Sequence, residues 1–312
     1  MSFHIVFSKK YTVKLPGHVF RADKFEAVLK LLLKERIITS ADILEPRRPS
    51  KADLMLAHTS SWVRKILSGT LSRAERARAE LECTPEVLEA HLMNAGGTIL
   101  AARLALETGL GINCGGGAHH AFADHGEGFC LVNDIAAAIN KLRAEKKIKR
   151  ALVIDLDAHQ GNGTAAIFRG DRDVFTFSIH QRDIYPGTAE RSSLDLTLPA
   201  GAGNKIYLDL LKANLPFLFR RARPDLVMYN AGVDVYEKDL LCGLKLTMAG
   251  VRRRDELVFR ECFDRSIPAV LVLSGGYAAE FSDTVRLHAG TIKAAARVYA
   301  GKKGFEFKGE GR

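Results

Sequence analysis

Asp155, Asp157 and His159 alternate with Leu156 and Ala158 at the end of an apolar run, ALVIDLDAH. Continued as a strand, that run puts the three polar side chains on one face and Leu156 on the other. Two carboxylates beside an imidazole repel one another unless a cation joins them, and a divalent metal suits oxygen and nitrogen donors. The plainer alternative is an aspartate capping the helix that opens after Gly161, next to a structural histidine. Asp234, in Asn230-Ala231-Gly232-Val233-Asp234, follows another apolar run and is the candidate third ligand. Alone it would read as a turn residue after a glycine. Three protein ligands leave a coordination position open, as a catalytic metal requires.

Two further groups suit a reaction at such a centre. Gly115-Gly116-Gly117 leads into Ala118-His119-His120, and Asp124 to Cys130 follow, with Gly128 and Phe129 among them. Successive glycines admit backbone conformations closed to other residues. No GK[ST] follows them, so they are not a phosphate loop. Adjacent imidazoles suit acid–base work near neutral pH, although a pair of histidines alone says little. Ser274-Gly275-Gly276-Tyr277 forms a tight turn that would expose a phenol able to donate to an oxyanion. Taken alone, Tyr277 would more simply pack at a helix start.

The elements that must position these groups follow from the period of the sequence. ALVIDLD (151–157), DVFTFSI (173–179), DLVMYNA (225–231) and PAVLVLS (268–274) are short, nearly continuous apolar runs, the pattern of strands buried on both faces of a parallel sheet. Helical spacing is expected over 23–38, 59–68, most of 70–108 (with Thr84 as N-cap before Pro85), 134–146, 205–221, 248–264 and 278–300. Alternating strand and helix predicts one α/β domain with right-handed crossovers. In such sheets ligands bind outside the carboxyl ends of the strands, where the polar groups above all gather. His180, at another strand end, reads as orienting its neighbours. His4, His18, His58, His91 and His288 read as structural or exposed, and His125 as either a pocket rim or a packing residue.

Composition sets the outer limits. The 312 residues are 47% apolar and 26% charged, which excludes a disordered chain, a collagen and a coiled coil. No run of ~18 apolar residues predicts a membrane span. Lys9, Lys10, Lys14 and His18 interrupt the first apolar stretch, so no signal peptide is expected. Five cysteines without CxxC spacing point away from disulfides or a zinc ribbon and towards a reducing cytoplasm. The net charge of +10 favours acidic partners, or merely solubility. The basic runs 141–150, 220–223 and 252–254 read as solvated helix faces and ends, and no nucleic-acid recognition motif accompanies them. Residues 301–312, GKKGFEFKGEGR with the first residue at Gly301, read as a flexible tail after a domain over 1–300.

The segments GGGAHHAFADHGEGFCLVNDIAAAI (115–139), VIDLDAHQGNGT (153–164), SIHQRDIYPGT (178–188), YNAGVDVYEKDLLCGLKLT (229–247) and LSGGY (273–277) together resemble the histone deacetylase family, which includes acetylpolyamine amidohydrolases and acetoin-utilisation proteins. DLDAHQGNG and the stretch from Asp239 look closest to its class IV branch. The resemblance implies an arginase–deacetylase fold with about eight mostly parallel strands, and a zinc hydrolase of acylated amines. It implies Asp157, His159 and Asp234 as zinc ligands, with Fe2+, Co2+ or Mn2+ also compatible with such donors. His119 and His120 match the tandem histidines, Asp155 the carboxylate behind His119, and Tyr277 the catalytic tyrosine. Phe129, with Gly128 beside it, and Tyr185 match the walls of an acyl-lysine channel. Main-chain oxygens of Asp155, Asp157, His159 and Ile179, with the Ser178 hydroxyl, match a potassium site.

This chain departs from the commoner family pattern at Asn162, which stands where many members carry an aspartate behind the second histidine. That leaves the division of labour within the dyad open. No acidic residue could be placed at the channel rim. Acylated lysines of proteins or peptides are the expected substrates, with small acylated amines as the alternative. A two-metal arginase chemistry lacks a second ligand set, and a nucleic-acid or anionic-surface binder using the basic charge is the non-enzyme alternative.

Overall fold

The computed structural model describes residues 4–300. The tail expected over 301–312 lies outside the described residues. In chain order the elements are β1 (Ile5–Val6), α1 (Asp23–Lys34), β2 (Ile43–Leu44), α2 (Lys51–Leu54), α3 (Ser60–Ser68), α4 (Arg73–Ala79), α5 (Pro85–Thr108), β3 (Leu110–Asn113), α6 (Asp134–Ala144), β4 (Ala151–Asp155), α7 (Asn162–Ile167), β5 (Val174–Gln181), β6 (Leu194–Leu198), α8 (Asn204–Ala222), β7 (Leu226–Asn230), α9 (Met248–Asp264), β8 (Ala269–Val272) and α10 (Phe281–Ala300). Among the described residues, eight strands form one sheet in the order β2-β1-β3-β8-β7-β4-β5-β6, and every pair is parallel. The expected single-domain α/β architecture is what the chain adopts.

The four long apolar runs became the central strands β4, β5, β7 and β8, and β3, β4, β7 and β8 are buried at every position. One face of the sheet packs on α1, α8, α9 and α10, through residues such as Phe25, Leu211, Phe259 and Ile292. The other packs on α5 and α6, where Ala101, Ala102, Ala105, Ala136, Ala137 and Ala138 are all buried and let the helices lie close. Thr84 caps α5 by accepting from the Val87 amide, Pro85 opens it, and Gly109 ends it in the left-handed region. Gly111 lets β3 run against α5, because a Cβ there would sit 1.7 Å from the Ala101 carbonyl oxygen. A third cluster, around Trp62, Val63, Leu88 and Leu131, carries α3 to α5 beside the carboxyl ends of the strands.

Register aligns those ends. Asp155 pairs with Ser178 on one side and Asn230 on the other, Asn230 pairs with Val272, and Val272 with Asn113. Each polar group that follows a strand therefore starts from a common edge. No helix of the described residues is long and apolar enough to cross a membrane.

Candidate active site

The strand β4 ends at Asp155, so alternation does not carry Asp157 and His159 to the same place. Turns do so instead. The Asp157 amide donates to Asp155 Oδ1 at 3.1 Å, and the His159 amide donates to Asp157 Oδ1 at 3.0 Å, side-chain-to-backbone bonds two residues apart that fold the loop on itself. Asp234 reaches across from the loop after β7, and its Oδ1 accepts from the Ala158 amide at 2.8 Å. His159 Nδ1 lies 3.1 Å from Asp157 Oδ1 and 2.9 Å from Asp234 Oδ2. Asp157 Oδ2 also accepts from the Ser274 hydroxyl and the Gly275 amide, both at 2.9 Å. Gly275 must be glycine for this, since a Cβ would stand 2.5 Å from both Asp157 Oδ2 and Asp234 Oδ2.

Asp157, His159 and Asp234 are all buried, and one donor atom from each lies within 4.8 Å of the others. Burial first, and then the Asp157 charge, push Asp234 up to about 8. Two such carboxylates side by side call for a cation, and an oxygen–oxygen–nitrogen donor set with a position left open fits a divalent metal.

The tandem histidines sit against this group. Their approach is set by Gly116 and Gly117, with φ of 73° and 87°. The buried Asp134, first residue of α6, accepts from the Gly117 amide (3.0 Å) and the Ala118 amide (2.7 Å), and the Thr98 hydroxyl donates to it at 2.5 Å. His119 Nδ1 is 2.7 Å from Asp155 Oδ2, and Asn230 Nδ2 donates to Asp155 Oδ1 at 2.9 Å. Burial opposes protonation of His119, but the Asp155 and Asp157 charges outweigh it and raise its pKa to about 9. His120 Nδ1 is 2.7 Å from Asn162 Oδ1. Burial, then the neighbouring His119 and His159, hold His120 well below the ordinary range. The two ring centroids are 4.1 Å apart, and their surroundings pull in opposite directions: the Asp155 and Asp157 charges favour a proton on His119, whereas burial beside His119 and His159 disfavours one on His120.

Tyr277 is fixed by its own amide, which donates to Asp239 Oδ2 at 2.7 Å. Burial and the Asp157 charge push its phenol well above the usual range, so it stays a donor. Beneath it the buried Lys24 amine donates to the Ser274 carbonyl at 2.7 Å. Burial lowers the Lys24 pKa to about 8, against the pull of Asp234, Asp157 and Asp239.

A channel of about 190 Å³ leads to these groups, lined by Glu80, His120, Gly128, Phe129, His159, Tyr185, Leu241 and Tyr277. An inner cavity continues past it to Phe20, Phe25, His91 and Asn94. Phe129 sits at the tip of a tight hairpin in which Glu127 and Cys130 exchange backbone hydrogen bonds of 2.9 Å. Gly128 and Phe129 both have positive φ, 49° and 65°, as a two-residue hairpin turn of matching twist demands. Ser178 and Ile179 lie on β5, and the Ser178 hydroxyl is 2.9 Å from His180 Nδ1.

All the residues singled out in the sequence thus lie at one end of the sheet, and several more join them. Glu80, which the sequence did not single out, adds an acidic residue to the channel lining. His91 lines the inner cavity rather than serving packing alone. Arg254, read as part of a solvated basic run, is fully buried. Its guanidinium donates to the carbonyls of Leu156 (3.1 Å) and Gly232 (2.6 Å), binding the two loops that carry Asp157 and Asp234. The helical period held the signal, because Val251, Arg254, Asp255 and Val258 share the inward stripe of α9. Glu127, Asp134, Asn230 and Asp239 gave no such sign.

Residues 18–292 match the histone deacetylase domain. The chain belongs to the histone deacetylase family. An uncharacterized protein of Picosynechococcus sp. is 40% identical over 300 residues, covering 96% of this chain and all of that protein. Histone deacetylase 2 of Arabidopsis thaliana is 35% identical over 286 residues, 88% of this chain and 74% of that protein. The crystal structure of the HDA15 HD domain shares the fold, with a TM-score of 0.74 at 24% identity over 98% of this chain and 90% of that one. As a member of this family the chain is an amidohydrolase.

Proposed function

We propose that this deacetylase removes acyl groups from the side chains of acylated lysines, with zinc held by Asp157, His159 and Asp234. The observation that carries the reading is the buried Asp–His–Asp group at the foot of a channel walled by Phe129 and Tyr185. When bound, the ion supplies Lewis acidity and lowers the pKa of a water. Fe2+, Co2+ or Mn2+ would suit the same donors. Phe129 and Tyr185 grip an alkyl stem and exclude water around the amide. His120, neutral, takes the proton of the attacking water on Nε2 and then gives it to the leaving amine. His119, held cationic against Asp155, favours the negative charge that grows on the amide oxygen, and the Tyr277 hydroxyl donates to that oxygen.

A potassium ion among the main-chain oxygens of Asp155, Asp157, His159 and Ile179, with the Ser178 hydroxyl, belongs to the same reading. Asp155 and Ser178 are register partners at the strand edge. Asn162 behind His120 favours placement near the class IV branch. The five cysteines are all free, which suits a reducing cytoplasm.

A matched panel of acetyl-, octanoyl- and myristoyl-lysine peptides beside acetylputrescine and acetylspermidine tests the assignment, each with metal and after chelation. Chelator-sensitive release from a peptide is expected. Turnover of the polyamines alone would move the substrate to small acylated amines, and turnover of none would overturn the assignment.

A further inference from the structure

His120 is useful as a base only if its lone pair lies on Nε2, so its hydrogen must lie on Nδ1. The Nδ1 partner is Asn162, whose carboxamide presents an acceptor at one end and donors at the other. Nothing within that pair decides which end faces the imidazole. The decision comes from the far side. The other end of the Asn162 amide is 2.7 Å from Glu127 Oε1. A carboxylate oxygen only accepts, so the NH2 of Asn162 faces Glu127 and its oxygen faces His120. His120 Nδ1 then has to donate, and Nε2 is left with its lone pair. A flipped amide would set two oxygens against each other and turn donors on Nδ1, moving the hydrogen to Nε2.

We infer that Glu127 is a positioning residue that fixes the tautomer of His120 through Asn162. It replaces, one residue further out, the carboxylate that Asn162 does not supply directly. Glu127 is itself held in place. Its backbone is pinned by the hairpin to Cys130, and the Tyr185 hydroxyl donates to the same Oε1 at 3.0 Å. His125 Nε2 stands 3.6 Å from its other oxygen. The rings of His119, His159 and Tyr185 lie against the His120 ring, and the hydrogen-bond partner of its Nδ1 is Asn162.

The role assigned to His120 rests on the proposed function, but its tautomer does not, so the two are separable. Long-range 1H–15N correlations on histidine-labelled, metal-loaded protein report which ring nitrogen carries the hydrogen, with no substrate present. Wild type should show His120 with hydrogen on Nδ1. In Glu127→Leu, which has no acceptor, a substantial share should move to Nε2, and kcat should fall at least about tenfold. Glu127→Gln keeps an acceptor oxygen and should keep the Nδ1–H pattern. Adding Asn162→Asp to Glu127→Leu restores an obligate acceptor and should restore that pattern. An unchanged His120 pattern in Glu127→Leu overturns the inference, as does its loss in Glu127→Gln to the same extent. If the tautomer responds as described while wild type hydrolyses no acyl-lysine, the positioning role stands and the substrate reading falls.

Discussion

Asp134 allows the support of the glycine loop to be measured separately from the chemistry. In Asp134→Ala the buried amides of Gly117 and Ala118 lose their acceptor, while the Thr98 hydroxyl can turn elsewhere. A buried donor left unsatisfied costs roughly 1–3 kcal/mol, so two cost about 2–6 kcal/mol. Asp134→Asn behaves differently. Its oxygen can face the amides and its NH2 the Thr98 oxygen, so only the difference between charged and neutral acceptors is lost, about 1 kcal/mol for each amide. Burial already disfavours the Asp134 charge and raises its pKa, which trims that loss further. Urea unfolding followed by fluorescence and circular dichroism should therefore rank wild type, Asn and Ala, with Asn within about 2 kcal/mol of wild type and Ala well below it. Because Ala118 leads directly into His119, a displacement of about 1 Å in the Ala variant should also cost on the order of 100-fold in turnover. Equal unfolding midpoints for the Ala and Asn variants would refute the reasoning.

Tyr277→Phe should keep the metal and lower kcat by ~100-fold or more, as loss of one oxyanion donor does; equal turnover in the two proteins would remove Tyr277 from the reaction. Asp157→Ala and His159→Ala should lose metal, read by elemental analysis, together with activity. Chelation of wild type should lower the Tm by several degrees, since a ligand of the folded state stabilises it. His58 is buried neutral, with Nδ1 bonded to the Phe122 carbonyl and Nε2 accepting from the Asn133 amide. Its folded pKa is lowered to about 4, chiefly by burial, so the unfolded chain binds the proton more readily. Its contribution is complete above about pH 6.5 and is lost as pH falls towards 4, by up to about 3 kcal/mol. A His58→Gln variant should flatten this part of the stability profile; an unaltered slope would show that the loss arises elsewhere.

The central sheet was legible because strands buried on both faces write themselves as unbroken apolar runs. The other four strands escaped for specific reasons. Ile5–Val6 and Ile43–Leu44 are two residues each, too short to show a period. Leu110–Asn113 follows directly on α5 and merges with its apolar pattern. Leu194–Leu198 is a half-exposed edge strand that carries alternation without a continuous run. At the site, the Asp157–His159–Asp234 group and the histidines were singled out from residue types at strand ends, and the structure brings them together, although turns, not strand alternation, deliver Asp157 and His159. Glu127 and Arg254 meet their partners only through folding. Asn162 and Glu127 are 35 positions apart, and Arg254 and Leu156 are 98 apart. The period of α9 marks Arg254 as inward-facing, but no local pattern names the partner of either residue.

The common edge of the sheet separates the candidate reacting groups from the walls of the channel that leads to them. The candidate reacting groups follow strand ends locked by pairing on both sides, whereas Glu80, Phe129, Tyr185 and Leu241 lie outside the strands, the Leu241 loop being tied to β5 through Gln181, which accepts from the Gly243 amide at 2.6 Å. Exchanging those loops is the route to a new guest, provided that the Asp239 acceptor for the Tyr277 amide and the Gln181 contact are kept. Glu127 limits that freedom, because one of its oxygens serves both the channel wall and the base. A transplanted loop that brought no hydroxyl to the position of Tyr185 would disturb more than the fit of the guest.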